Sequence, residues 1–197
     1  MAVVSGRIRF AEASDAAALA AIYAPSVEGS AISFEVAAPT AAEMAGRIAS
    51  TMTTHPWLVM CGEDQAPLGY VYACPHRARA AYQWSVDVAV YIAAGAQRQG
   101  IAQRLYRALF KLLAAQGFVQ AYAGIALPNA ASVALHERLG FTPVGIYRDV
   151  GFKLGQWRSV GWWQLRLQPL PQSPGPPLAL PQWLAANPGI AEAILRS

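Results

Sequence analysis

Gln97-Arg98-Gln99-Gly100-Ile101-Ala102 is the stretch on which the reading of this 197-residue chain turns. Before it, Trp84 to Ile92 alternates as a strand; after it, a helical pattern runs from about Gly100 to Gln116. A glycine turn between a strand and a helix leaves several backbone N–H groups pointing out of the helix N-terminus. Those groups, with the helix dipole, attract an anion. Gly100 has no side chain, so a phosphate can approach its backbone closely. Gln97, Arg98 and Gln99 add side-chain donors. No Gly-Lys-Ser/Thr follows, and the glycine spacing is not that of a dinucleotide fingerprint. A glycine opening a helix can also be only a turn, so the neighbouring elements must decide.

The strand before the turn places Trp84, Val86, Val88, Val90 and Ile92 on one face and Ser85, Asp87, Ala89 and Tyr91 on the other. Asp87 is thus an acid in an apolar strand and needs a partner, water or a task. The plainer alternative is a charge guarding a solvent-facing sheet edge. In the helix after the turn, Ile101, Leu105, Leu109 and Leu112 form an apolar stripe opposite Arg104, Arg107 and Lys111, and Gly117 stops the helix.

Towards the N-terminus, Arg7 to Phe10 reads as a strand and Ser14-Asp15 as the start of a helix through Tyr23, followed by a loop from Pro25 to Phe34. Thr40 to Glu43 fits a capping box opening a helix to about Met52. Trp57 to Cys61 and Leu68 to Cys74 read as a hairpin, and His76 to Ala81 as a basic loop with Arg77 and Arg79. Beyond the central helix, Phe118 to Leu127 is a strand broken by Pro128-Asn129, and Ala130 to Leu139 is a helix. Phe141 to Arg148 and Val160 to Leu167 close the pattern as strands, with Gly151 to Trp157 between them. The order predicts an α/β fold, a mixed central sheet flanked by helices. Six prolines between Pro169 and Pro181 then predict a stiff extended linker, with a short helix from Trp183 to Leu195 that docks on this chain or on a neighbour, or frays.

Composition narrows the function classes. With 55% hydrophobic and 13% charged residues, the chain can bury a core rather than remain disordered. No apolar run is long enough for a membrane span, and Met1 to Arg9 lacks a signal-peptide apolar region, so a cytoplasmic protein with reduced Cys61 and Cys74 is expected. A net charge of +4 suits an anionic ligand, but no Lys/Arg cluster is dense enough for nucleic acid. His55, His76 and His136 are too scattered to form a metal motif.

The segment Gln97 to Ala102 resembles the pyrophosphate-binding signature of the GNAT superfamily of acetyl-CoA-dependent N-acetyltransferases. Ala115-Gln116-Gly117-Phe118, Leu127-Pro128-Asn129, Ser132-Val133, His136-Glu137, Leu139-Gly140-Phe141, Gly151-Phe152-Lys153 and Val160 to Leu165 extend the likeness. So do Pro56 to Val59 and Arg79 to Tyr82. Together they resemble the branch holding phosphinothricin and methionine sulfoximine/sulfone N-acetyltransferases. The likeness spans Arg7 to Leu167, which sets a domain at residues 1–168 and a Pro-rich extension at 169–197.

The resemblance implies acetyl-CoA as co-substrate. Its pantetheine arm would lie along Val90, Tyr91 and Ile92, its pyrophosphate on Arg98, Gln99, Gly100, Ile101, Ala102 and Gln103, with a further contact from Asn129. Asn129 also suits a simple helix cap. Asp87 falls where the family carries a glutamate base, one methylene shorter, and His136 where many members place a proton donor. Both are candidate catalytic groups. A small amino-acid-like amine, as phosphinothricin or methionine sulfoximine, would be held by Arg77, Arg79 and Asp87, with Phe34 and Tyr82 as walls. A homodimer is also implied. Two other readings stay open: an acetyltransferase for another amine such as a protein N-terminus, and a non-catalytic acetyl-CoA-binding module.

Overall fold

The computed structural model describes residues 6–196. Seven strands form one sheet in the order β1-β2-β3-β4-β5-β7-β6. They are β1 (Arg7–Phe10), β2 (Trp57–Cys61), β3 (Pro67–Pro75), β4 (Ser85–Ile92), β5 (Gln120–Leu127), β6 (Thr142–Lys153) and β7 (Gln156–Arg166). Every neighbouring pair is antiparallel except β4–β5, which is parallel. A parallel pair needs a crossover, and α3 (Ile101–Gln116) supplies it. The other helices are α1 (Ala16–Glu28), α2 (Ala41–Met52), α4 (Ala130–Arg138), α5 (Leu180–Ala186) and α6 (Pro188–Arg196).

Strand alternation divides the core in two. Leu58, Met60, Val71, Ala73, Val86, Val88, Ala121, Ala123 and Ile125 face α3 and bury its Ile101, Leu105, Leu109 and Leu112 stripe. Trp57, Val59, Cys61 and Tyr70 face the other way, against Leu19, Tyr23 and Val27 of α1 and Met44 and Ile48 of α2. The capping box at α2 is present: Thr40 Oγ1 accepts from Glu43 N–H, and the Glu43 carboxylate accepts from Thr40 N–H.

The structure corrects two readings and removes one alternative. First, α1 runs through Pro25 to Glu28, where a loop was expected. Leu19, Tyr23 and Val27 recur every fourth residue and all are buried, so packing outweighs the hydrogen bond that Pro25 removes. Second, Gly151 to Trp157 is part of a long hairpin rather than a separate segment. Lys153 pairs with Gln156 across a turn in which Leu154 (φ 52°) and Gly155 (φ 73°) both take left-handed backbone, the geometry that joins twisted strands most tightly. The Lys153 ammonium is buried and donates to the carbonyls of Val27 and Ser33, tying the hairpin tip to the end of α1. Third, β4 lies in the middle of the sheet, so Asp87 is not an edge charge.

The stretch after Arg166 is strapped to the body. Gln168 Nε2 donates to Ala114 and Phe118 carbonyls, Leu178 N–H to Gln116 O at 2.8 Å, Leu180 N–H to Thr54 O at 3.1 Å, and Trp84 Nε1 to Gly175 O at 2.7 Å. Gln116, itself buried, donates from Nε2 to Thr54 O and Leu178 O. Two helices follow in place of one, because Asn187 closes α5 and Pro188 opens α6. Leu180, Trp183 and Ala191 are buried, and the last two join the α3-side core.

Candidate active site

The parallel β4–β5 ladder has only three rungs: Ser85–Gln120, Val86–Ala121 and Asp87–Tyr122. Beyond Asp87 and Tyr122 the strands separate. Val88, Ala89, Val90 and Tyr91 line one wall of the resulting cleft, and Ala123, Gly124, Ile125 and Ala126 the other. Tyr106 of α3, Asn129, Ser132 and His136 of α4, and Ile32 from the loop after α1 complete it. Each strand keeps its ladder on the outer side, β4 with β3 and β5 with β7. Their inner backbone groups are therefore available to an extended, amide-bearing ligand. Of the predicted pantetheine positions, Val90 and Tyr91 line this cleft, and Ile92 follows them on the same strand.

The phosphate turn follows β4 after the short helical turn Ala94–Ala96. Arg98 (φ 60°) and Gly100 (φ 80°) both take left-handed backbone, and Gly100 is the N-cap of α3. A side chain at Gly100 would point into open space, so steric crowding inside the chain does not explain the glycine; its positive φ does. Gln99 Nε2 donates to Gly95 O at 3.0 Å and fixes the turn, and Arg98 is exposed. Ile101 anchors the helix start in the core, while Ala102 and Gln103 are half-buried.

On the cleft's α4 side, Asn129 Oδ1 accepts from Ser132 N–H, so Asn129 does cap α4. His136 is buried with both ring nitrogens engaged. Nδ1 donates to Ser132 O at 2.8 Å, and Nε2 accepts from Tyr106 OH at 3.0 Å. Burial lowers the His136 pKa and raises that of Tyr106, which keeps both neutral in this arrangement.

At the closed end of the cleft lies a group the sequence did not assemble. His76 Nδ1 is 2.6 Å from Asp87 Oδ1. The imidazole stacks on Tyr122 with centroids 4.3 Å apart and meets Trp162 and Tyr82 edge-on. Arg77 donates to His76 O and holds its guanidinium over Trp162. Burial raises the Asp87 pKa, and the bond from His76 opposes that rise. Burial and Asp87 together push the Cys74 thiol up to about 11, so it is not a thiolate at neutral pH.

Of the predicted substrate residues, Arg77, Tyr82 and Asp87 therefore converge. Arg79 lines a hollow between its loop and Pro177 to Ala179, which Arg77 and Tyr82 also touch. Phe34 covers Gly151, where even a methyl group would strike its ring at 2.4 Å. His76, Tyr122 and Trp162 were missed. Cys74 lies opposite Asp87 in the hairpin, so His76, two residues on, shares its face. The loop between the strands hid that register.

A sheet that opens between two parallel strands, with a glycine-capped helix start beyond the cleft, suits an extended amide-bearing ligand with an anionic end. The acetyltransferase (GNAT) domain family matches residues 8–162, and the chain belongs to that family. It is an N-acetyltransferase with acetyl-CoA as co-substrate. It is 40% identical over 169 residues to phosphinothricin N-acetyltransferase of Streptomyces viridochromogenes, covering 86% of this chain and 91% of that protein. It is 32% identical over 172 residues to L-methionine sulfoximine/L-methionine sulfone acetyltransferase of Pseudomonas paraeruginosa, covering 87% of this chain and all of that one. Among solved structures, the GNAT superfamily phosphinothricin acetyltransferase of Sinorhizobium meliloti in complex with acetyl-CoA superposes with a TM-score of 0.82 at 31% identity, over 90% of this chain and 99% of that one.

Proposed function

We propose that the chain acetylates the α-amino group of a small amino acid carrying a second polar head, of the phosphinothricin or methionine sulfoximine kind. The observation that carries this reading is the position of Asp87 and His76 on the last rung before β4 and β5 part. The pantetheine arm lies along Val90, Tyr91 and Ile92, the diphosphate sits on residues 98–103, and Asn129 borders the arm. The thioester then reaches the closed end of the cleft beside Asp87. An ammonium nitrogen is not nucleophilic until it loses a proton, and the pair supplies that step. Arg77 offers a guanidinium to the substrate carboxylate, with Tyr82 and Trp162 as walls. Arg79 and Phe34 act at the rim. His136, with both nitrogens engaged, holds Tyr106 and α4 against the cofactor.

A thiol-release assay over phosphinothricin, methionine sulfoximine, methionine sulfone, the ordinary amino acids and short peptides tests this. Turnover is expected with the first three. Turnover only with peptides would replace the substrate class, and acetyl-CoA binding without turnover on any amine would remove catalysis.

The enzyme works as a cytoplasmic homodimer in this reading. Its two cysteines are free thiols. The edge hairpin exposes Ile146, Tyr147, Val150, Phe152, Leu154 and Trp157, each at least half exposed, and clustered exposed apolar side chains of this kind mark interaction surfaces. Sedimentation is expected to give a dimer at micromolar concentration. The double substitution Phe152→Asp and Trp157→Asp is expected to give a folded monomer. A wild-type monomer would refute the assembly.

A further inference from the structure

We infer that His76, rather than Asp87, is the group that takes the proton from the substrate amine, with Asp87 acting as the positioning residue that orients it. The inference rests on the acetyl-transfer reading above and names the proton acceptor within it.

The geometry distinguishes the two groups. An Asp87 carboxylate is acceptor-only, so the 2.6 Å contact requires His76 Nδ1 to carry the hydrogen. In a neutral ring that leaves the lone pair on Nε2. Among the described residues no hydrogen bond to Nε2 is found, and it is not among the buried side-chain atoms without a partner, so it is not sealed from solvent. The ring itself is held. Tyr122 stacks on one side, Trp162 and Tyr82 abut its edges, and its side chain is only 12% exposed. Asp87 by contrast has one carboxylate oxygen committed to the ring, and aspartate is the shorter of the two side-chain acids. An imidazole stacked on Tyr122 extends the reach of that short acid by a ring's width. The arrangement follows the general logic of a base oriented by a carboxylate that fixes its tautomer.

The proton accounting closes. The ammonium N–H proton passes to Nε2, and Asp87 balances the imidazolium that results. The freed nitrogen lone pair attacks the acetyl carbonyl carbon, and collapse of the tetrahedral adduct breaks the C–S bond. The second proton lost from nitrogen goes to the departing thiolate. His76 returns its own proton to water.

The charged and titratable groups around the ring are Asp87 on β4, Arg77 and Tyr82 in its own loop, and Tyr122 on β5, with Cys74 acting on Asp87 from β3. Asp87 is the anion among them. Its removal therefore disfavours the imidazolium, and the acidic limb of the rate profile moves to lower pH.

The test uses the full chain with acetyl-CoA and the best amine of the panel. His76→Asn keeps a donor for Asp87 but has no base. It is expected to lower kcat by about a hundredfold, the lower range for a lost positioned base, with acetyl-CoA affinity unchanged and the acidic limb flattened. Asp87→Asn is expected to lose less, with its limb displaced to lower pH. His76→Gly leaves a ring-sized gap, and added imidazole is expected to restore part of its rate. Should His76→Asn fail to fold, His76→Gln replaces it. A wild-type limb and near-wild-type kcat in the His76 variant would overturn the inference. So would a larger loss with no limb at all in Asp87→Asn, which would make the carboxylate the base. Failure of the wild-type enzyme to acetylate any amine refutes the underlying reading instead, and is recognised before any variant is made.

Discussion

Gly100→Glu is expected to remove measurable acetyl-CoA binding, a loss of at least about a thousandfold, or roughly 4 kcal/mol. Two effects combine. Gly100 sits at φ 80°, where any side chain adds strain of about 1 kcal/mol. The larger effect is electrostatic: a carboxylate at the positive end of α3 occupies the place proposed for the diphosphate and repels it. Gly100→Ala separates the two. Its methyl group meets open space, so it keeps the strain without the charge and is expected to bind more weakly but measurably. Titration calorimetry on both variants gives the answer, and wild-type affinity in Gly100→Glu would place the diphosphate elsewhere.

Removal of residues 169–197 is the second large effect. A domain that ends at residue 168 would let this stretch be cut without harm. The packing argues otherwise. The truncation bares the core under Leu180, Trp183 and Ala191 and removes Leu178 O, one of the two acceptors of the buried Gln116 amide. We propose that the extension is part of the domain rather than an appendage. Trp183→Ala alone is expected to cost about 3–5 kcal/mol, as large buried aromatics do, and to lower the melting temperature by on the order of 10 °C. The truncated chain is expected to lose cooperative unfolding or to aggregate. A truncated protein that melts like the whole chain would restore the boundary at residue 168.

The contrast between these regions shows what can be read from sequence. Elements with a local cause were legible: the Thr40 box, the Ile101 stripe of α3, the glycines that end helices, the alternation of β4. So was the glycine turn before α3, because its cause is a glycine and a helix start a few residues apart. What depended on distant partners was not. α1 continues through Pro25 because Val27 meets the sheet. The Pro-rich stretch looked like a spacer because proline signals extension but not what it lies against. His76 and Asp87 meet only because β3 and β4 pair in one register, and Tyr122 and Trp162 arrive from β5 and β7, far along the chain. The resemblance offered a cofactor path for testing but not the histidine.

The three-rung ladder between β4 and β5 has a further consequence. Past Asp87 and Tyr122 the sheet carries an edge in its own middle, facing inward rather than outward. Outer edges invite pairing with other chains. This one opens into the cleft lined by Tyr106, Asn129, Ser132 and His136. Amides there lack the full protection expected of a central strand. In ligand-free protein, deuterium should enter the strand stretches 88–91 and 123–126 sooner than it enters the outer pairing of β2 with β3. Acetyl-CoA should slow that uptake by becoming, for the time it is bound, the missing stretch of ladder.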